Sequence, residues 1–196
     1  MNTTKSYSKI YRLIHWSIAI SFSLLLLTIF LRLTWMNKNH MAEIIGNYLS
    51  QKNQSLSQDE LIVLAKKIRQ PMWQWHVYIG YVLVGLFALR FTLPFFGEMK
   101  FQNPLQKSLS AKEKFQNWTY LIFYVCVVAS LVTGLIIEHG PKALRKEIED
   151  WHKLSIYYLV AFIIIHLAGV LISEFTNQKG LISKIISGSK ETMKGL

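Results

Sequence analysis

Four long stretches of this 196-residue chain contain no Asp, Glu, Lys or Arg: Ile14 to Leu31, Val77 to Leu89, Trp118 to Ile137 and Leu154 to Ser173. The second continues to Phe96 with Arg90 as its one charge. A helix of about 20 mostly apolar residues crosses a bilayer core, so runs of this length constrain the fold more than any other feature. In lipid every backbone amide needs a partner inside the protein, which leaves α-helices or a closed barrel. None of the four runs alternates with period two. The expectation is therefore an all-α integral membrane protein, a four-helix transmembrane bundle forming a single domain over 1–196, with spans at about 13–35, 74–96, 117–138 and 152–174.

Hydrophobic residues make up 52% of the chain, which nevertheless carries 22 Lys/Arg and 11 Asp/Glu. The charges are thus segregated to the ends of the spans. A formal charge of +11 placed there suits anionic headgroups rather than nucleic acid. Lys5, Lys9 and Arg12 precede the first run, as in a signal peptide, but no small-x-small cleavage site follows. The run leaves through Arg32, Leu33, Thr34, Trp35 and Met36, the composition of an interfacial anchor, so a retained span is expected. Charge does not orient the chain: with the N-terminus inside, the inner segments hold 11 Lys/Arg and the outer ones 10. Cys126 is the lone cysteine and packs inside the third span; no CxxCH motif is present, which excludes covalent c-type heme attachment.

The first connection, Met36 to Gln74, is the longest. Ser57 and Glu60 form a capping box opening a short extra helix, with Leu61, Leu64 and Ile68 on one face and Pro71 as its limit. The 97–117 segment, with Gly97, Pro104, Ser108 and Ser110, reads as a loop. Gly140-Pro141 ends the third span, and Lys142 to Asp150 leads into the fourth. Gly180 to Ser187, with Lys184 among apolar residues, suits an interfacial helix.

Six histidines remain to be placed. His40 lies in the first connection and His139 beside Gly140, and both read as surface residues. His15 opens the first span, His76 opens the second, and His152 and His166 share the fourth. Ionisable residues inside a membrane are functional-site candidates by default. On an unbroken helix, fourteen residues come within about 40° of four full turns, so His152 and His166 leave on nearly one face, about 21 Å apart along the axis. One metal group cannot use both, whereas two stacked through the membrane could use one each. Alternating spans place the starts of the second and fourth helices on one side, so His76 can face His152. The fourth helix runs toward the side where the first begins, so His15 can reach His166. Gly80 and Gly169, each about one turn beyond a histidine, leave room beside the ligands.

Two imidazoles from facing helices suit zinc, copper or heme iron. Zinc prefers four close protein ligands. An apolar setting with small residues beside a lone pair of histidines suits heme, and axial ligation on both faces leaves no open position, so such a heme transfers electrons. Hydrogen-bonded interhelical histidines are the alternative. Arg90, near the end of the second span, is a candidate partner for a heme propionate or a quinone, or a side chain snorkelling to the headgroups.

The chain resembles the bacterial cytochrome b561 family, grouped with the cytochrome b subunits of nickel-iron hydrogenases and formate dehydrogenases. The resemblance runs from about Tyr11 to Gly188. It is carried by Ile14-His15-Trp16, by His76 with Gly80, by Leu131 to Leu135 with Gly134, and by Trp151-His152 followed by His166. The long first connection departs from compact members. The resemblance implies two heme b groups held by His15, His76, His152 and His166, and electron exchange with ubiquinone or menaquinone in a bacterial cytoplasmic membrane, both termini cytoplasmic. It also implies a periplasmic cytochrome or dehydrogenase as possible partner. Some related proteins oxidise superoxide and reduce quinone, which keeps a quinone-linked oxidoreductase among the readings. An anchoring subunit of a dehydrogenase-type complex and a histidine-dependent metal-ion transporter are the others; the last would carry acids within the spans, where Glu138 at an edge is the sole candidate.

Overall fold

The computed structural model describes residues 7–97, 99–101, 103–176, 180–186 and 188, so Lys5 and Ser187 lie outside the described residues. Helix α1 covers Lys9–Leu33, α2 Lys38–Gln51 and α3 Gln58–Thr92, continued by a 3-10 turn at Leu93–Phe96. Helix α4 covers Ala111–His139. A 3-10 turn at Lys142–Leu144 leads into α5 (Arg145–Lys153), followed by α6 (Ser155–Thr176) and α7 (Leu181–Ile186). No described residue lies in a strand.

Four helical stretches, Lys9–Leu33, Gln58–Phe96, Ala111–His139 and Lys142–Thr176, are long and apolar enough to cross a membrane. Large apolar side chains along them stand open, among them Leu13, Val125, Ile164 and Phe175. In water such continuous apolar surface would drive association; against acyl chains it meets a solvent of its own polarity. The chain is a multi-pass, all-α membrane protein.

It divides into two compact units, one of residues 1–16 with 87–196 and one of 17–86. In the first, α4 packs on α5 and α6. Phe123 and Phe162 stack with ring centroids 3.5 Å apart. Between the same helices, Ser130 and Ser155 share a hydrogen bond of 2.6 Å, and the Tyr158 hydroxyl donates to Ser130 at 2.9 Å. Such bonds hold helices together in lipid, where apolar contact alone gives little preference for a neighbouring helix over acyl chains. Helix α4 starts within the segment expected as a loop, from a capping box: the Glu113 amide donates to Ser110 Oγ, and the Ser110 amide to the Glu113 carboxylate. Helix α7 is tied down at its start, where the Glu174 carboxylate accepts the Gly180 and Ile182 amides at 2.7 and 3.0 Å. At its end, Arg12 Nη1 donates to the Ile186 carbonyl and Trp16 Nε1 to the Ile185 carbonyl, both at 3.1 Å.

In the second unit, α2 is a helix that the sequence reading did not place. Asn37 caps it by accepting the Asn39 amide, and Ala42 packs with Leu61 and Ala65 of α3, with Ile45 and Leu49 beside them. The capping box at Ser57 and Glu60 is present as expected, the Ser57 amide donating to Glu60 Oε2 at 2.8 Å. Two details differ. Ile68 is exposed, the buried face being formed by Leu61 and Ala65. Pro71 does not end the extra helix, which runs without a break into the second span. Lys67, whose carbonyl loses its partner to the missing Pro71 N–H, lies with Pro71 on the exposed face, where water can take up the lost bond.

The fourth span differs from its expected form as well. His152 lies on α5 and His166 on α6, separated by Leu154, where the Leu154 amide bonds Trp151 and the Tyr157 amide bonds Leu154. These i to i−3 bonds tighten the chain locally, so the regular-helix phase assumed from His152 to His166 does not carry across the break.

Candidate functional site

The first pair of histidines meets within the first unit. The rings of His15 and His166 lie with centroids 6.1 Å apart and planes tilted by 48°. His15 stacks against Tyr11 at 6.4 Å, and His166 against Phe162 at 5.6 Å, so aromatic neighbours hold both rings. The Tyr120 hydroxyl lies 3.3 Å from His166 Nδ1.

An imidazole nitrogen bonds a first-row metal at about 2 Å, which puts its ring centroid roughly 3 Å from the metal and two axial centroids about 6 Å apart. The observed 6.1 Å fits that arrangement. A closed zinc site does not fit: among the described residues no group of three or more His, Cys, Asp or Glu is placed to hold a metal ion.

His76 and His152 belong to different units, and each is set by a threonine of its own unit. Thr28 Oγ1 lies 2.8 Å from His76 Nδ1 and donates to the Leu25 carbonyl at 2.7 Å. Thr133 Oγ1 lies 3.0 Å from His152 Nδ1 and gives its proton to the carbonyls of Ala129 and Ser130. A hydroxyl has one proton. Because each threonine directs that proton to the main chain, the ring must be the donor in the other bond. Both histidines are thereby assigned as Nδ1–H tautomers, which puts the ring lone pair on Nε2, the nitrogen that would ligate a metal. Metal-bound histidines typically carry such a second partner. No sequence signal singled out these threonines except that each is a hydroxyl within an apolar span.

The surroundings of the two rings differ. Trp73 stacks on His76 at 4.5 Å and 5°, and the Arg32 guanidinium lies 4.1 Å from the Trp73 centroid, so a cation, an indole and an imidazole form one column. On the other histidine, a side-chain carbon added at Gly134 would meet His152 Cε1 at 3.3 Å, which gives this glycine of the third span a reason to be small. Gly80 and Gly169 border open space, in keeping with the room expected beside them.

Arg90 is buried and does not snorkel to the headgroups. Its Nε–H donates to the Tyr124 hydroxyl at 3.0 Å, and its guanidinium stacks on Phe101 at 4.3 Å. Its Nη1 is buried with no hydrogen-bond partner. Arg12 Nε and Asn117 Nδ2 are buried donors in the same condition. All three belong to the first unit: Arg12 lies one turn before His15, Asn117 one turn before Tyr120, and Arg90 bonds Tyr124 one turn after it. Unmet buried donors around a histidine pair suit a group rich in acceptors, and the carboxylates of a heme fit them. Its iron would supply one-electron chemistry, while these residues would bind and orient it. His40 and His139 are exposed, as expected.

Comparison with curated proteins and with solved structures gave no match. Comparison with protein families matched prokaryotic cytochrome b561 over residues 6–188, nearly the whole described chain and every histidine of the two candidate pairs. The chain belongs to the prokaryotic cytochrome b561 family, the membrane b-type cytochromes that bind heme b and transfer electrons.

Proposed function

We propose that the chain is a diheme electron carrier between the quinone pool and a redox partner at the outer membrane face, with His15 and His166 ligating one heme iron and His76 and His152 the other. The observation that carries the reading is the 6.1 Å approach of His15 and His166, two imidazoles at axial spacing with no third His, Cys, Asp or Glu placed beside them as a metal ligand among the described residues. The second pair rests on helix direction and on the Nδ1–H tautomers that Thr28 and Thr133 impose. With both axial positions filled by protein, neither site would bind oxygen, and the residues serve outer-sphere electron transfer.

Arg90 would offer its Nη1 to a propionate of the His15/His166 heme or to a quinone carbonyl, while Tyr124 and Phe101 hold its other side. Family membership supports a cytoplasmic-membrane location with both termini inside. An alternative within the family is an anchoring subunit for a peripheral dehydrogenase; the two helical segments of the first connection, α2 and the start of α3, favour it by offering a folded surface outside the spans. A pyridine hemochrome count on purified protein tests the main reading. Two hemes b per chain with ordinary b-type reduced bands are expected, and a fully folded chain carrying one heme or none would overturn it. Co-purification of a peripheral subunit from native membranes would select the anchoring form.

A further inference from the structure

A cavity of about 350 Å³ in the second unit lies between the end of α1 and the middle of α3. Its wall includes Arg32, Lys66, Lys67 and Arg69 together with Trp73 and Met72, and no acidic residue. Arg32 and Arg69 are half-buried, and both guanidinium groups are held in place, Arg32 over the Trp73 ring at 4.1 Å and Arg69 by donating to the Met36 carbonyl at 3.4 Å. The two ion pairs among the described residues, Arg145 with Glu149 and Lys153 with Asp150, involve neither arginine. Fixed neighbouring cations repel each other, and partial burial weakens the screening that water would supply. An anion in the cavity would relieve that repulsion.

Position identifies the anion. Arg32 closes the first span and Trp73 opens the second, and Trp35 and Trp75 are exposed at the same ends. Exposed tryptophans at span ends mark the headgroup level of a bilayer. A cavity at that depth, lined by cations together with Met72 and Trp73, matches a phosphodiester joined to an apolar tail. We infer that this cavity is a binding site for an anionic phospholipid, its headgroup phosphate held by Arg32 and Arg69 with Lys66 and Lys67 at the rim. The site adjoins the proposed heme ligand His76 through Trp73, against which both Arg32 and His76 stack, but it uses no heme ligand itself.

The test uses the full-length, heme-loaded protein. Native mass spectrometry in mixed phosphatidylglycerol and phosphatidylcholine would measure retained lipid for the wild type, for Arg32→Gln/Arg69→Gln, and for Lys142→Gln/Lys146→Gln as a control removing equal charge elsewhere. With on the order of 1 kcal/mol per basic residue, the wild type should prefer the anionic lipid by about tenfold or more; the arginine variant should lose most of that preference and the control should keep it. Arg32→Lys/Arg69→Lys, which keeps the charge, should retain part of it. Circular dichroism and elution volume report whether each variant is folded, since Arg32 stacks on the Trp73 ring that stacks on His76. No preference in the wild type, or equal loss in the control, would overturn the inference. So would protection of the site by inorganic phosphate alone at comparable concentration, which would mark it as a free-anion site.

Discussion

Thr133 holds His152 by a hydrogen bond whose direction is fixed: Oγ1 lies 3.0 Å from Nδ1 and spends its own proton on the carbonyls of Ala129 and Ser130. Thr28 stands in the same relation to His76. Replacing either by valine keeps the shape and removes the acceptor, so the ring loses the bond that sets its tautomer. Thr133→Val should therefore weaken heme retention by about tenfold, with a shifted midpoint potential for one heme and no change in the other. Thr133→Ser should restore both. Redox titration followed optically decides the matter, and two unaltered midpoints in Thr133→Val would show that the threonine only packs.

Gly134 and Gly169 give opposite expectations. A methyl group at Gly134 meets His152 Cε1 at 3.3 Å, so Gly134→Ala should displace the imidazole and lower heme content while the helices stay formed. A methyl group at Gly169 meets nothing within 4 Å. Gly169→Ala should thus leave the thermal stability of heme-depleted protein unchanged, yet lower heme occupancy if a porphyrin fills that space. Heme content together with circular dichroism separates the two effects. Normal heme content in Gly169→Ala would remove this glycine from the heme environment.

Arg90 supplies a third test. Its Nε bond to Tyr124 and its contact with Phe101 hold the guanidinium in place while Nη1 remains without a partner. Arg90→Lys keeps the charge but cannot reproduce the forked donor, so it should impair the site nearly as much as Arg90→Gln. Both should lower retention of the His15/His166 heme, and Arg90→Gln, which alone removes a cation that stabilises the reduced state, should also lower its midpoint. Unchanged heme retention, midpoint and quinone reduction in both variants would assign Arg90 to packing alone.

The spans and the approach of His15 to His166 were legible in the sequence because each rests on a coarse physical rule: twenty residues without charge cross a bilayer, and helix direction decides which ends meet. Details that depend on one bond were not legible. Pro71 was expected to limit a helix, yet α3 passes through it because the lost bond falls on an exposed face. Leu154 breaks the fourth span through two i to i−3 bonds that no residue type announces. Helix α2 was overlooked, although Asn37 followed by Ala42, Ile45 and Leu49 is a cap and an apolar stripe. Thr28 and Thr133 matter only through the neighbours they meet across helices, which spacing along one chain cannot reveal.

The start of α4 offers a test of stability alone. Ser110 and Glu113 satisfy two backbone donors at once, and both residues are exposed, so the bonds concern the helix end and not the candidate sites. Ser110→Ala should cost about 0.5–2 kcal/mol and lower the unfolding temperature in detergent without altering either heme midpoint. A changed midpoint would mean that the 97–110 segment supports the site.

The pairing itself makes the last prediction. Tyr120, which touches His166, and Thr133, which touches His152, lie on the unbroken helix α4, thirteen positions and so roughly 20 Å apart. That separation survives the break at Leu154 and is too large for one heme to use both histidines. Four single His→Ala variants should therefore fall into two spectral classes. His15→Ala and His166→Ala should each open an axial position on the same heme, which then binds carbon monoxide, while the other heme stays bis-histidine. His76→Ala and His152→Ala should do the same to the second heme and leave the first midpoint in place. His40→Ala and His139→Ala, at exposed positions, should change neither. If His15→Ala and His152→Ala instead altered one shared midpoint, the iron would have to bridge ligands at opposite ends of α4, and the diheme assignment would fail.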